Sequence, residues 1–305
     1  MENRTLGRQG LQTSALGYGA MRIAFESVES DARSIAAIRR AHDDGVTHFD
    51  TARLYGWGRG EQLLGAAIAP FRDEVTIATK FGYEPGFVPD SSPELIRKVV
   101  DESLRFLGLD HIDLLYQHRH DPKVPVEDVV GVMKEFVDAG KVSYLGLSNT
   151  RPDLVRRAHA VHPITALQTE YSVFARKSEE FFPVLEELGI GLVAYAPLAR
   201  GFLTGGVTPV DQFPPDDFRR RSPLWAPGNY EKNVEIVGRL TEMGKRHDAS
   251  LSQIALAWLL ARRPYIVPIP GSSDADRVSQ NLGATGVHLT PEELAFIDDV
   301  TPAGA

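Results

Sequence analysis

The stretch FDTARLYG (residues 49–56) begins as an apolar strand and turns polar within two residues. Asp50 and Tyr55 stand five positions apart, and Gly56, Gly58 and Gly60 loosen the chain directly afterwards. An acid at the end of a buried strand and a phenol in the following loop are typical of a strand-to-loop junction that carries function. The stretch therefore predicts a sheet whose carboxyl edge bears chemistry.

Eight segments have the near-continuous apolar, β-branched character of strands buried on both faces of a parallel sheet. They are 13–20 (TSALGYGA), 46–52 (VTHFDTA), 75–82 (VTIATKFG), 111–118 (HIDLLYQH), 142–149 (VSYLGLSN), 164–171 (ITALQTEY), 191–198 (GLVAYAPL) and 265–271 (YIVPIPG).

Helical patterns lie between these strands and have apolar residues at helical spacing. The predicted helices are 31–44, 92–108, 125–140, 151–160, 177–189, 251–263 and 274–282. Ser92, Pro93 and Glu94 form a good helix start, and Gly108 a good stop. The alternation predicts one (β/α)8 TIM barrel domain over residues 1–305, since a doubly wound sheet would need fewer strands or a second domain.

Two departures from a plain barrel are predicted. Residues 4–14 contain Gly7 and Gly10 in a pattern that favours a small β-hairpin before the first strand. Residues 199–229 form a long loop rich in glycine and proline, followed by an extra helix at about 230–247. Long loops inside a compact domain are usually functional.

Composition excludes several classes of protein. The 305 residues include no cysteine, so disulfides, thiolate metal sites and cysteine nucleophiles are excluded. The net charge of −8 argues against general binding to nucleic acid or to anionic membranes. The N-terminus has no apolar signal core, and no apolar run approaches the length of a membrane span. A cytoplasmic protein is the resulting expectation.

Because active groups of such barrels lie where strands end, the strand ends predict the site. Asp50, Tyr55, Lys80 and His118 converge on one rim in this arrangement. The other residues read at the strand ends are Gln117, Ser148, Asn149, Gln168, Tyr195, Gly271, Ser272 and Ser273. The sequence offers no strong nucleophile and no metal set at these positions.

The four side chains make chemical sense as a general acid for a substrate oxygen. A phenol has a pKa near 10, and a nearby ammonium is expected to lower it. A carboxylate keeps the lysine charged and in place, and an imidazole can either orient a carbonyl or share the proton. These four side chains supply no donor for the carbon atom, so the site would also need a cofactor that donates to carbon.

Seven motifs in order give the chain a resemblance to the aldo-keto reductase superfamily along nearly its whole length. They are FDTARLYG, ATKFG, DLLYQHR, GKVSYLGLSN, QTEYSVFAR, VAYAPLARGFLTG and PIPGSSDADRVSQN. The resemblance implies a (β/α)8 barrel that transfers hydride between a nicotinamide cofactor, usually NADPH, and a carbonyl carbon.

The resemblance also implies roles for individual residues. The tetrad is Asp50, Tyr55, Lys80 and His118, with Tyr55 as proton donor and with Tyr55 and His118 facing substrate. The cofactor residues are Gly19, Met21 and Asp50 near strand one and two, Ser148, Asn149 and Gln168 at the carboxamide, Tyr195 stacking on the nicotinamide with Ala196 beside it, Leu198, Arg200 and Gly201 at the diphosphate, and Gly271, Ser273, Arg277, Gln280 and Asn281 at the adenosine end.

Two positions depart from the pattern of the superfamily. Gly271 stands where some relatives carry a lysine that grips the 2′-phosphate, and Ala196 stands where many have serine. Arg277 remains as a partner for that phosphate. NADPH is therefore the expected cofactor and a small-molecule carbonyl compound the expected substrate, with NADH an alternative.

Other readings stay open at this point. The residues HRH (118–120) suggest a metal-dependent barrel hydrolase, although such sites need further histidines or acids at other strand ends. Some relatives implied by the resemblance are non-catalytic, nicotinamide-bound regulatory subunits. Four aromatic residues in rim loops either line the substrate pocket or pack those loops: Trp57, Phe81, Tyr83 and Trp225. Of these, Trp57 and Phe81 are predicted to contact substrate. The substrate, the direction in the cell and the oligomeric state are not set by the sequence.

Overall fold

The structure, a computed structural model, describes residues 1–301. Its main sheet has eight parallel strands in chain order, each paired with the next. These strands are β3 (Tyr18–Gly19), β4 (His48–Asp50), β5 (Thr76–Phe81), β8 (Ile112–Gln117), β9 (Val142–Ser148), β10 (Ile164–Glu170), β11 (Gly191–Tyr195) and β12 (Ile266–Pro268).

Two backbone hydrogen bonds close the sheet into a barrel. The amide of Gly17 donates to the carbonyl of Pro268 at 2.9 Å, and the amide of Gly19 donates to that of Pro270 at 3.3 Å. Only glycine fits at this seam, because a Cβ on Gly271 would lie 2.1 Å from the carbonyl oxygen of Gly19. The predicted (β/α)8 barrel is confirmed.

Ten α-helices accompany the strands within the described residues. They are α1 (Asp31–Asp43), α2 (Arg59–Ile68), α3 (Pro93–Leu107), α4 (Val126–Asp138), α5 (Pro152–Val161), α6 (Phe182–Leu188), α7 (Asn229–Arg246), α8 (Leu251–Arg262), α9 (Ala275–Leu282) and α10 (Pro291–Val300). The predicted start of α3 is confirmed, since the Ser92 hydroxyl accepts from the amide of Leu95 and Gly108 ends the helix at φ 67°.

Three elements were not predicted: α2, α10 and a small hairpin of β6 (Tyr83–Glu84) and β7 (Val88–Pro89). Helix α2 was hidden by its glycines, which have low helix propensity. Gly58 precedes it at φ 102°, and Gly65 lets it approach α3 so closely that a Cβ would lie 2.1 Å from the Leu107 carbonyl oxygen.

The N-terminal hairpin is confirmed as β1 (Asn3–Leu6) and β2 (Leu11–Ser14). It closes the amino-terminal end of the barrel, where Leu6 and Leu11 join the interior cluster. The predicted first strand was too long, because residues 13 and 14 belong to β2. Ser14 is fixed there by the Thr47 hydroxyl, which accepts from its amide at 2.7 Å.

The long loop of residues 199–229 consists of short 3-10 turns packed on an aromatic cluster, and the extra helix after it is α7. Trp225 is buried in this cluster, 5.0 Å from the ring of Phe202 and 5.5 Å from that of Phe213. Its indole N–H donates to the carbonyl of Thr208. Trp225 therefore packs the loop.

Inside the barrel, His48 lies one layer below Asp50 on β4. Its ring is fully buried, and neither ring nitrogen has a hydrogen-bond partner among the described residues. Burial lowers the pKa of His48 to about 4, against an opposing effect of Asp50. The imidazole is therefore neutral at physiological pH.

No helix in residues 1–301 is long and apolar enough to cross a membrane.

We expect Gly65→Ala to lower the free energy of unfolding by about 3 kcal/mol, because the added methyl group overlaps the backbone of α3. Gly131→Ala on α4 is the control, since nothing lies within 4 Å of its Cβ position. There the same change should raise stability by about 0.5–1 kcal/mol. Urea unfolding measures both, and equal effects would contradict the close packing of α2 on α3.

We expect the wild-type protein to lose about 2 kcal/mol more stability than His48→Gln between about pH 7 and about pH 5. The pKa of His48 is about 4 in the folded chain, below that of an unfolded histidine. Its contribution is complete above the unfolded pKa and is lost as pH falls toward the folded one. Urea unfolding at both pH values measures the difference, and parallel losses in the two proteins would show that His48 is not buried neutral.

Candidate active site

Asp50 and Lys80 form a buried ion pair at the carboxyl edge of the barrel. Asp50 is the last residue of β4, and the Lys80 ammonium on β5 donates to its carboxylate. Lys80 also donates to the carbonyl of Thr51 at 2.7 Å, and the Gln168 amide donates to the second carboxylate oxygen at 2.7 Å. The hydrogen-bond partners of the ion pair therefore come from the barrel strands and the residue that directly follows β4.

Asp50 and Lys80 can remain charged although they are buried, because each charge lies beside its counter-charge. The Lys80 side chain has no exposed surface and that of Asp50 is 2% exposed. Burial lowers the pKa of Lys80 and the charge of Asp50 opposes that effect. The site therefore places one ammonium at the edge of the barrel interior without exposing it to water.

Tyr55 lies against this ammonium, with its ring centroid 5.2 Å from the Lys80 nitrogen. Burial, followed by the charge of Asp50, raises the pKa of Tyr55 well above 10. The expectation that lysine brings this pKa below its usual value is not met, because burial and the charge of Asp50 raise it. Tyr55 is a neutral phenol that keeps its proton at physiological pH.

His118 follows β8 and stands between two phenols. Its ring meets Tyr55 edge-on at 5.8 Å and Tyr83 edge-on at 5.3 Å between centroids. Burial, Lys80 and Arg119 lower the pKa of His118 well below 6.5. Its Nδ1 has no partner among the described residues. A neutral imidazole therefore stands beside the phenol of Tyr55.

Side chains from β9, β10 and β11 form the other half of the rim. Asn149 donates to the Ser148 hydroxyl at 2.9 Å and accepts from the Tyr195 hydroxyl at 2.8 Å. The Tyr195 ring is part-exposed, and burial raises its pKa to about 12. The amides of Asn149 and Gln168 and the hydroxyl of Ser148 are polar groups of the kind that binds a nicotinamide carboxamide. The partly open ring of Tyr195 beside them is suited to stacking on a nicotinamide ring.

Backbone strain gathers on this rim. Among the described residues, six of the seven non-glycine residues with positive φ lie in rim loops: Trp57, Phe87, Asn149, Ala196, Ala199 and Arg200. Such conformations cost free energy and concentrate at functional sites. Gly56 at φ 59° and Trp57 at φ 52° set the turn that directly follows Tyr55.

Arg200 is held by an acid that the sequence did not single out. Its guanidinium donates to both carboxylate oxygens of Glu170, at 3.1 and 2.7 Å. Glu170 is two residues beyond Gln168 on β10, so both point to the same face. That period of two was the signal available in the sequence. Leu198 is part-buried against the core, and Gly201 has φ 100°.

The residues expected at the adenosine end lie where β12 meets α9. Ser273 is buried, and its hydroxyl donates to Glu26 at 2.5 Å. Asn281 is also buried, whereas Arg277 and Gln280 are exposed on α9. Gly19 and Gly271 meet at the barrel seam, and Met21 is 48% exposed. Glu26 is 247 residues from Ser273 in the chain, so no local pattern indicates the contact.

The aromatic residues expected at the substrate separate into two groups. Trp57 is 38% exposed and lies 6.5 Å from Phe87, which is 67% exposed at the tip of the β6–β7 hairpin. Phe81 is 1% exposed and its ring belongs to the core between sheet and helices. Phe87, in a hairpin that was not predicted, is the aromatic residue on this rim that sequence reasoning missed.

Glu61 on α2 was also missed. Its side chain is fully buried behind β5, where the Thr79 hydroxyl donates to it at 2.6 Å. Burial raises its pKa, against the hydrogen bond from Thr79. An acid within an otherwise apolar helix was the available signal in the sequence for Glu61.

No group of three or more histidines, aspartates or glutamates in residues 1–301 is placed to hold a metal ion.

Comparisons with known proteins agree with this geometry. The sequence model of the aldo/keto reductase family matches residues 15–302. A probable aldo-keto reductase 1 from Glycine max is 41% identical over 307 aligned positions, which take in 98% of this chain and 88% of that protein.

Two solved structures share the fold over almost the whole chain. A glycerol dehydrogenase from Gluconobacter oxydans is 29% identical, with a TM-score of 0.90 over 98% of this chain and 94% of that one. An aldo-keto reductase from Klebsiella pneumoniae in complex with NADPH is 25% identical, with a TM-score of 0.81 over 99% of this chain and 96% of that one. Because the family model matches residues 15–302, which is nearly the whole chain, this chain belongs to the aldo/keto reductase family.

Proposed function

We propose that this protein reduces the carbonyl group of small aldehydes or ketones with NADPH, and that Tyr55 is the proton donor. The observation that carries the proposal is a neutral Tyr55 beside a buried ammonium at the mouth of the barrel. Membership of a family of NAD(P)H-dependent oxidoreductases supports the reaction class. The roles of individual residues are our assignment.

The residues divide the work of reduction between them. Bound NADPH supplies the hydride to the carbonyl carbon. Tyr55 gives its phenolic proton to the carbonyl oxygen as that oxygen gains negative charge. The nearby Lys80 ammonium stabilises the phenolate that is left, and Asp50 holds the ammonium in position. Neutral His118 offers a ring nitrogen to orient the same oxygen.

The cofactor residues are proposed with the roles that the resemblance implies. The carboxamide is contacted by Ser148, Asn149 and Gln168, and Tyr195 stacks on the ring. The diphosphate is contacted by Leu198, Arg200 and Gly201. The adenosine end is bound by Gly271, Ser273, Arg277, Gln280 and Asn281, and the remaining contacts are made by Gly19, Met21, Asp50 and Ala196. The NADPH complex of the Klebsiella pneumoniae relative supports this cofactor, with NADH as the alternative.

Trp57 and the buried Phe81 remain proposed substrate neighbours, since Phe81 lines a small cleft together with Lys80 and His118.

One domain over the whole chain and a cytoplasmic location are also proposals. Cell fractionation tests the location, and recovery in a membrane or secreted fraction would contradict it.

The reaction is tested by titrating the protein with NADPH and with NADH under fluorescence, then adding 4-nitrobenzaldehyde. We expect tight NADPH binding followed by loss of the reduced cofactor's near-ultraviolet absorbance. Binding without oxidation across a panel of carbonyl compounds would favour the regulatory role. Binding of neither cofactor would contradict the proposed cofactor site.

We expect Tyr55→Phe to reduce turnover by about 10²–10⁴-fold, because the phenolic proton is gone. NADPH affinity should change little, since the ring remains. Tyr83→Phe is the matched control, because Tyr83 is a second phenol that packs edge-on against His118. Single-turnover kinetics and fluorescence titration of the three proteins separate chemistry from binding. Near-normal turnover of Tyr55→Phe would remove Tyr55 as proton donor.

A further inference from the structure

Glu26 joins two segments that are far apart in the chain. It lies in the loop between β3 and α1, and its carboxylate accepts from the Ser273 hydroxyl, just beyond β12, at 2.5 Å. A parallel contact beside it runs from the Tyr18 hydroxyl to the Ser272 carbonyl at 2.6 Å. The carboxylate is thus fixed over the seam where the first and last barrel strands meet.

Two arginines complete the surroundings of Glu26. Arg33 on α1 donates to one carboxylate oxygen at 2.7 Å, and Arg22 lies 3.4 Å from the other. The Glu26 side chain is 14% exposed, whereas those of Arg22 and Arg33 are 70% and 59% exposed. Burial raises the pKa of Glu26, but the hydrogen bond from Ser273 and the two arginines outweigh this and hold it below its usual range. Glu26 is an anion at neutral pH.

We propose that Glu26 is a specificity-determining residue that narrows the preference for NADPH over NADH. The proposal rests on the proposed function, which places Ser273 at the adenosine end of the cofactor. A carboxylate accepts hydrogen bonds from the ribose hydroxyls of NADH but repels a 2′-phosphate. It also occupies Arg22 and Arg33, two cations suited to grip that phosphate.

Both effects act in the same direction. Removal of the charge on Glu26 ends the repulsion and frees the two arginines for the phosphate. Neither effect touches the nicotinamide end, because Tyr55, Lys80 and His118 lie on other strands and loops. The affinity ratio of the two cofactors should therefore change without a change in the chemical step.

The test compares Glu26→Gln, Glu26→Asp and Glu29→Gln with the wild type. Glutamine keeps the size of Glu26 and an acceptor for Ser273 but removes the charge, and aspartate keeps the charge. Glu29 lies on the same segment and is exposed, so Glu29→Gln controls for the loss of one negative charge. Dissociation constants for NADPH and NADH come from fluorescence titration. Competition by 2′,5′-ADP and by 5′-ADP isolates the adenosine end.

We expect Glu26→Gln to raise the ratio of NADPH to NADH affinity about five- to tenfold, the size of one like-charge interaction near the surface. The same shift should appear for 2′,5′-ADP over 5′-ADP, and Glu26→Asp and Glu29→Gln should stay within about twofold of wild type.

An unchanged or lowered ratio in Glu26→Gln would overturn the proposal and leave the proposed function standing. An equal rise in Glu29→Gln would also overturn it, because the effect would then be one of general charge. If the wild-type protein binds none of these nucleotides, both the proposal and the proposed function fall.

Discussion

The buried ion pair of Asp50 and Lys80 is the interaction on which the rest of the site depends. An ammonium with no exposed surface needs a fixed counter-charge, because a lone charge in the barrel would be strongly disfavoured. Asp50 supplies it and is itself held by Gln168 from the opposite side of the barrel. The pair thus ties β4, β5 and β10 together at the level where substrate would meet Tyr55.

Burial also keeps the two proton-carrying groups of the site neutral, while Asp50 and Lys80 stay charged. Tyr55 and His118 stay neutral because burial moves the pKa of each away from the physiological range, upward for the phenol and downward for the imidazole. A general acid is most effective when its pKa lies near the operating pH, so the proposed acid Tyr55 depends on the ammonium beside it to release its proton. The Lys80 ammonium favours the phenolate that remains, but burial and the charge of Asp50 outweigh this in the pKa of Tyr55.

The sequence predicts the barrel and the tetrad positions well because both rest on local rules. Apolar strands are recognised by their composition, and a parallel barrel brings their ends to one edge, so Asp50, Lys80 and His118 were found together. Predictions failed where tertiary contacts decide. Helix α2 was missed because Gly65 serves packing on α3. The pKa of Tyr55 was misjudged because burial and the charge of Asp50, which depend on the folded barrel, raise it. Glu26 was missed because its partner Ser273 comes from the far end of the chain.

The most direct test of the account is the transfer of label from NADPH deuterated at C4 to a carbonyl substrate, followed by mass spectrometry of the alcohol. If the rim at Tyr55 brings carbonyl carbon and nicotinamide together, the product carries one deuterium on the former carbonyl carbon. No deuterated alcohol from any of a panel of aldehydes and ketones, by a folded protein that binds NADPH, would contradict the account.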